Sequence, residues 1–160
     1  MMTYADDTLS VSRTLHASRD AVWRCWTEGA LLKRWFTPAP WTVPGADLDP
    51  RPGGRMNVTM AGPGGERVES VGCFLEVVPG ERLIFTDAFA EGFLPRAEPF
   101  VTSAVAFSDA RGGGTDIVWT ARHATAEARA RHVEMGMEQG WNAALDQLDA
   151  LAGTLPATAS

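Results

Sequence analysis

Residues 125–151, with the sequence TAEARARHVEMGMEQGWNAALDQLDAL, contain no proline and repeat an apolar residue every three or four positions. Thr125 can cap the amino end of a helix, and Glu127 lies in its first turn, where a negative charge is favoured. We predict a single helix about 40 Å long, which Gly153 ends. Its apolar stripe consists of Val133, Met137, Trp141, Ala144, Leu148 and Leu151.

The beginning of the chain is predicted to form one strand and two short helices. Thr8–Leu15 alternates apolar and polar residues, as a half-buried strand does. Ser18 and Thr27 each stand where they could cap a helix, and Pro38 cannot continue the second helix. The apolar residues of these two helices are Val22, Trp23, Trp26, Leu31, Leu32, Trp35 and Phe36.

Glycine and proline turns divide the middle of the chain into short stretches of alternating polarity. Because short turns join antiparallel neighbours, we predict an antiparallel sheet in an α+β domain. A looser segment, Phe89–Pro99, interrupts the pattern. The seven predicted strands are Thr8–Leu15, Trp41–Leu48, Arg55–Met60, Arg67–Val78, Arg82–Asp87, Phe100–Phe107 and Thr115–Arg122.

The order of these elements and five short motifs resemble a known superfamily. The motifs are VWRCWT at 22–27, LLKRWF at 31–36, PGGR at 52–55, FLEVVPGERL at 74–83 and HVEMGMEQGW at 132–141. They are similar to those of the START and birch-pollen-allergen (SRPBCC) superfamily, and within it to bacterial relatives of the activator of the heat-shock-protein-90 ATPase. The resemblance implies a helix-grip fold, in which a curved seven-stranded antiparallel sheet wraps a long C-terminal helix. It covers residues 8–152 as one domain and leaves 153–160 as a predicted disordered tail.

Composition and charge argue against several classes of protein. The 160 residues carry a formal net charge of −6, so a face that binds nucleic acid is not expected. Neither a signal peptide nor a membrane-spanning segment fits the sequence. Cys25 and Cys73 lie in apolar stretches, which is typical of buried reduced thiols. We therefore predict a cytoplasmic protein.

Catalytic motifs are scarce in the sequence. Motifs for phosphate binding, serine hydrolysis and zinc-dependent deamination are absent, and no metal or cofactor is predicted. His132 is the one candidate acid–base residue, with Glu134 or Arg55 as weak partners; the alternative is a structural role at the border of the helix stripe. His16 and His123 are expected in solvent-facing connections.

The resemblance implies a cavity between the curved sheet and the C-terminal helix, whereas the apolar stripe alone favours ordinary core packing. Binding of a small hydrophobic or aromatic molecule in that cavity is the leading hypothesis. Two helix glycines would either allow close packing or widen the cavity. The candidate lining residues are Trp26, Trp35, Phe36, Met56, Val58, Met60, Phe74, Phe85, Trp119, His132, Gly136, Met137, Gly140 and Trp141.

Two other hypotheses stay open. The resemblance allows a cyclase-, aromatase- or hydrolase-like enzyme that uses the same cavity. Alternatively, an interaction module could contact a chaperone or a second copy of the chain as a homodimer. The segment Phe89–Phe100, with Phe93, Leu94 and Phe100 around two prolines, offers apolar surface for such a contact.

Overall fold

The computed structural model describes residues 8–156. This part of the chain contains ten strands and four helices. No helix in this part is both long enough and apolar enough to cross a membrane. A 3-10 turn, Arg111–Gly113, precedes the last strand. In chain order the elements are β1 (Thr8–Leu15), α1 (Arg19–Thr27), α2 (Gly29–Leu32), β2 (Thr42–Leu48), β3 (Met56–Ala61), β4 (Arg67–Ser70), β5 (Cys73–Val78), β6 (Arg82–Thr86), β7 (Phe89–Ala90), β8 (Leu94–Pro95), β9 (Val101–Asp109), β10 (Thr115–His123), α3 (Ala126–Glu134) and α4 (Met137–Ala152).

Antiparallel pairing arranges most strands into a sheet of five and a sheet of three. The larger sheet has the order β1-β10-β9-β6-β5, and the smaller has the order β2-β3-β4. A bridge between Arg55 and Cys73 links the two sheets, because it pairs the residue before β3 with the first residue of β5. The helices α1 and α4 pack against each other and against β9 and β1. This mixed α+β arrangement, with a large antiparallel sheet and few helices, fits a helix-grip fold.

Alternation along β10 decides which side chains face the helices. Ile117, Trp119 and His123 are buried, whereas Asp116 and Val118 are exposed. The neighbouring strand β9 has the same period, and its buried residues lie opposite the buried residues of β10. The buried side chains of these two strands therefore lie on one face of the sheet, which packs against the core.

The predicted count of seven strands is wrong, because two segments hold more strands than the pattern indicates. The stretch Arg67–Val78 divides into β4 and β5, which pair in different sheets. Gly72 lies at this crossing, where a Cβ atom would stand 2.6 Å from the Thr86 carbonyl oxygen, so the backbone runs too close to β6 for a side chain. The looser segment Phe89–Pro99 contains the short pair β7 and β8.

The prediction of one long C-terminal helix is also wrong, because α3 and α4 are separate. Gly136 stands between them with a φ of 80°, in the left-handed region that other residues seldom adopt. Val133 is 50% exposed, so the buried stripe begins at Met137. Thr125 caps α3 as predicted, since its side-chain oxygen accepts the N–H of Ala128 at 3.1 Å.

The start of the second short helix differs from the prediction as well. Thr27 is the last residue of α1, and its hydroxyl donates to the Trp23 carbonyl at 2.9 Å, as a threonine inside a helix often does. Glu28 is the N-cap residue of α2, which is one turn long, so Trp35 follows the helix. Ser18 caps α1 as predicted.

The chain after α4 stays packed beyond the predicted domain end. The N–H of Thr154 donates to the Leu151 carbonyl, and Leu155 packs against the core. Residues 157–160, the rest of the predicted tail, lie outside the described residues.

Two glycines should respond in opposite ways to alanine. Gly136→Ala forces a side chain onto a residue with a φ of 80°, so we expect the free energy of unfolding to fall by about 1–2 kcal/mol. Gly140→Ala adds a methyl group at an ordinary contact distance, 3.7 Å from Pro38 Cγ. Since alanine favours a helix, we expect a gain of up to about 1 kcal/mol. Urea denaturation followed by circular dichroism measures both changes, and a stabilised Gly136→Ala variant would contradict this explanation.

Candidate functional site

Aromatic rings fill the space between α1, the segment after α2 and the inner face of the sheet. Trp26 lies at the centre and is fully buried, with its ring centroid 4.7 Å from Trp35 and 4.9 Å from Trp119. Trp141 stacks on Trp119 at 3.7 Å. We call this group the aromatic cluster; its members are Trp26, Trp35, Phe36, Phe85, Phe107, Trp119 and Trp141.

Only some of the buried indole N–H groups of the cluster have a hydrogen-bond acceptor among the described residues. Trp35 Nε1 donates to the Cys25 carbonyl at 2.9 Å. In contrast, no acceptor from residues 8–156 lies within hydrogen-bonding distance of the buried Nε1 atoms of Trp26 and Trp119. A buried donor without an acceptor destabilises a folded protein by about 1–3 kcal/mol. These two indole N–H groups are therefore the costly polar atoms of the cluster.

A cavity of about 60 Å³ lies beside the aromatic cluster. Its walls come from β3, β6, β9 and the segment after α2. Four of the candidate lining residues border it, namely Phe36, Met56, Val58 and Phe85, whereas its lining includes no residue of α3 or α4. The full lining consists of Phe36, Met56, Val58, Ser70, Gly72, Phe85, Thr86, Asp87, Val101 and Ser103.

The polar part of this lining was missed by the sequence analysis. The Asp87 carboxylate accepts the N–H groups of Phe100 and Val101 at 2.8 and 3.1 Å, which fixes the start of β9. Ser103 is 4% exposed and lies one alternation further along the same strand. Extending the alternation of β9 back from Phe107 would have indicated both Val101 and Ser103.

The other candidate lining residues do not border this cavity. Phe74 and Met137 are buried in the core, and Met60 packs against it. Gly136 lies at the break between α3 and α4, where its positive φ favours glycine. Gly140 faces Pro38. The candidates outside the cavity lining are Trp26, Trp35, Met60, Phe74, Trp119, His132, Gly136, Met137, Gly140 and Trp141.

His123 and His132 form a pair between the end of β10 and α3. Nε2 of His123 lies 2.7 Å from Nδ1 of His132. His123 is 5% exposed, so its predicted solvent-facing position is wrong. Burial, and then the neighbouring His123, lower the pKa of His132 to about 4. Because of this low pKa, His132 is neutral near pH 7. The rings of Phe100 and Trp141 pack edgewise on its imidazole.

Within residues 8–156, neither predicted partner of His132 is paired with it. Arg55 forms ion pairs with Asp47 at 2.8 Å and Glu91 at 2.9 Å. Glu134 is exposed. The acid–base pairs proposed from the sequence are thus wrong, and His123, at the end of the alternating pattern of β10, takes the place of both.

The two cysteines are free and buried, as predicted. Burial raises the pKa of the Cys25 thiol to about 11, so this thiol is protonated and unreactive near neutral pH. In the described part of the chain, no group of three or more histidine, cysteine or acidic residues is placed to hold a metal ion.

The segment predicted as an interaction surface is exposed. Phe93 is 47% exposed and Leu94 65% exposed, while the Phe93 ring lies against Gly53. Contact with a chaperone or a second copy through this surface stays a prediction.

A family model described as Activator of Hsp90 ATPase homolog 1-like protein matches residues 16–153. The chain belongs to this family. Protein NE0264 from Nitrosomonas europaea is 36% identical and has a crystal structure with a TM-score of 0.89, covering 93% of this chain and 96% of that chain. Protein Ms6760 from Mycobacterium smegmatis is 27% identical with a TM-score of 0.78, covering 100% and 97%. Among curated proteins, no sequence matches this chain.

Membership in the Activator of Hsp90 ATPase homolog 1-like family confirms the resemblance seen in the sequence motifs. One of these motifs, PGGR, builds a tight loop against β5. Gly53 donates its N–H to the Phe74 carbonyl, and Phe74 donates its own to the Gly54 carbonyl, at 2.8 and 2.9 Å. A Cβ atom on Gly54 would stand 1.9 Å from the Asp49 carbonyl oxygen. The family motif therefore serves backbone packing at this point rather than chemistry.

Proposed function

We propose that the chain binds a small apolar molecule in the cavity beside the aromatic cluster. The cavity itself is the observation that carries the proposal. Phe36, Met56 and Val58 give it an apolar wall, and Ser103 and Asp87 add a few polar groups. Ligand pockets commonly combine a mostly apolar lining with a small number of polar groups that orient the ligand.

The ligand must widen this cavity when it enters. A volume of about 60 Å³ is smaller than the roughly 150 Å³ of a cavity that holds benzene. Phe36 and Phe85 are only partly buried, and Met56 has a flexible side chain. Movement of these three residues would enlarge the space without disturbing the sheet.

The chemistry of the surrounding groups favours binding over catalysis. The pair His123–His132 is not among the lining residues. The Asp87 carboxylate already accepts two backbone N–H groups. Cys25 is buried and protonated. The cavity lining therefore lacks a pair of groups suited to general acid–base work.

Filling the cavity should abolish binding. N-phenyl-1-naphthylamine, a neutral apolar dye, is expected to bind the wild-type protein saturably with a stoichiometry near one. Val58→Phe places a ring in the cavity, so we expect its affinity for the dye to fall at least tenfold. Fluorescence titration measures both affinities, and circular dichroism checks that the variant is folded.

The matched control is Val118→Phe, which makes the same change on the exposed face of β10. This variant should bind the dye as the wild-type protein does. Absence of saturable binding to the wild-type protein would refute the proposal. An equal loss of dye affinity in both variants would show that the dye does not bind in the cavity.

A further inference from the structure

Trp26 and Trp119 bury two indole N–H groups for which residues 8–156 provide no acceptor. The side chains have 0% and 2% of their surface exposed, so bulk water does not reach them freely. An indole nitrogen can only donate a hydrogen bond. Phenylalanine would fill much of the same space without an unpaired donor. Two such donors in one cluster are available to an acceptor that a ligand brings.

Both indole rings lie near side chains that line the cavity. The Trp26 ring centroid lies 6.1 Å from that of Phe36 and 6.2 Å from that of Phe85. The Trp119 ring centroid lies 6.0 Å from that of Phe36. Phe36 and Phe85 line the cavity. A ligand that displaces Phe36 as it widens the cavity would therefore contact the rings of Trp26 and Trp119.

On the basis of the proposed function, we infer that the ligand is a neutral apolar molecule with a carbonyl oxygen that accepts hydrogen bonds from Nε1 of Trp26 and Trp119. One carbonyl oxygen has two lone pairs and can accept both bonds. Asp87 lines the cavity, so an anionic ligand would meet a like charge. Ketones, esters, lactones and quinones form the ligand class that fits.

Acetophenone and ethylbenzene test this inference, because they differ in one carbonyl group and have nearly the same shape. Each is titrated into the full-length, ¹⁵N-labelled protein while the six indole N–H resonances are followed by NMR. Trp26→Phe and Trp119→Phe assign the two resonances. We expect acetophenone to move both proton resonances downfield and to bind at least fivefold more tightly than ethylbenzene, because a site with unpaired donors discriminates against a ligand without an acceptor.

The control variants separate the donors from general packing. Trp119→Phe should remove most of the preference for acetophenone and leave ethylbenzene binding in place. Trp41→Phe, outside the aromatic cluster, should keep the preference. If the cluster variants fail to fold, the ligand pair on the wild-type protein still decides.

Three results would overturn the inference. Equal affinity for the two ligands with unmoved indole resonances would refute the carbonyl while leaving the proposed function intact. Resonances that are already at hydrogen-bonded positions without ligand, and stay there with acetophenone, would identify a bound water as the partner. Absence of binding by both ligands would refute the inference and the proposed function together.

Discussion

Replacing Trp26 with alanine is expected to lower the free energy of unfolding by about 3–5 kcal/mol, the usual cost of deleting a large buried aromatic side chain. Trp26 has no exposed surface and contacts the rings of five other residues. Removal therefore leaves a void in the middle of the core. Guanidinium denaturation followed by circular dichroism measures the loss, since tryptophan emission would change with the substitution itself.

Trp23→Ala is the matched control, because Trp23 lies on the same helix but is only partly buried. Among residues 8–156 its ring contacts one other ring, that of Phe107, at 5.5 Å. A loss of about 1–2 kcal/mol is expected there. If the two variants were destabilised equally, the aromatic cluster would not be the centre of the core.

Local signals were enough to predict much of the fold. The predicted strand Thr8–Leu15 agrees with β1, and the last predicted strand agrees with β10 except for its final residue. The caps at Ser18 and Thr125 are confirmed as well. Alternation and capping depend on neighbouring residues, so a single sequence carries them.

The break at Gly136 illustrates what a periodic pattern leaves open. Apolar residues keep their helical spacing from Val133 to Trp141, and nothing in that spacing reveals a positive φ. Glycine in a helix and glycine at a helix end look alike in sequence. Met135, the C-cap residue of α3, is 74% exposed although it lies within the predicted helix.

The site depends on contacts that patterns only partly indicate. Which side chains of a strand face inward follows from alternation, and it led to Met56 and Val58, both of which line the cavity. How much of the space those side chains fill depends on their rotamers and on the neighbouring tryptophans. The sequence therefore indicates an apolar interior, while the size of the cavity comes only from packing in three dimensions.

Acid should weaken the protein through His132 before most carboxylates are protonated. An unfolded histidine takes up its proton near pH 6.5, whereas His132 in the folded protein does so near pH 4. Between these values the unfolded chain binds more protons, so the free energy of unfolding is at its full value above about pH 6.5 and falls as the pH approaches 4. We expect a loss of about 2 kcal/mol from this residue, because a half-buried ring keeps part of its hydration.

The variant His132→Asn keeps a polar atom near the position of Nδ1, which contacts His123 at 2.7 Å, but it cannot take up a proton. Urea denaturation between pH 7 and 4 should therefore show a shallower loss for this variant than for the wild-type protein. Glu134→Gln removes a titratable group from the exposed side of the same helix and leaves the histidine pair in place, so it should follow the wild-type profile. Parallel profiles for His132→Asn and the wild-type protein would mean that His132 does not exchange its proton on unfolding, and the histidine pair would then have no part in the acid sensitivity of the fold.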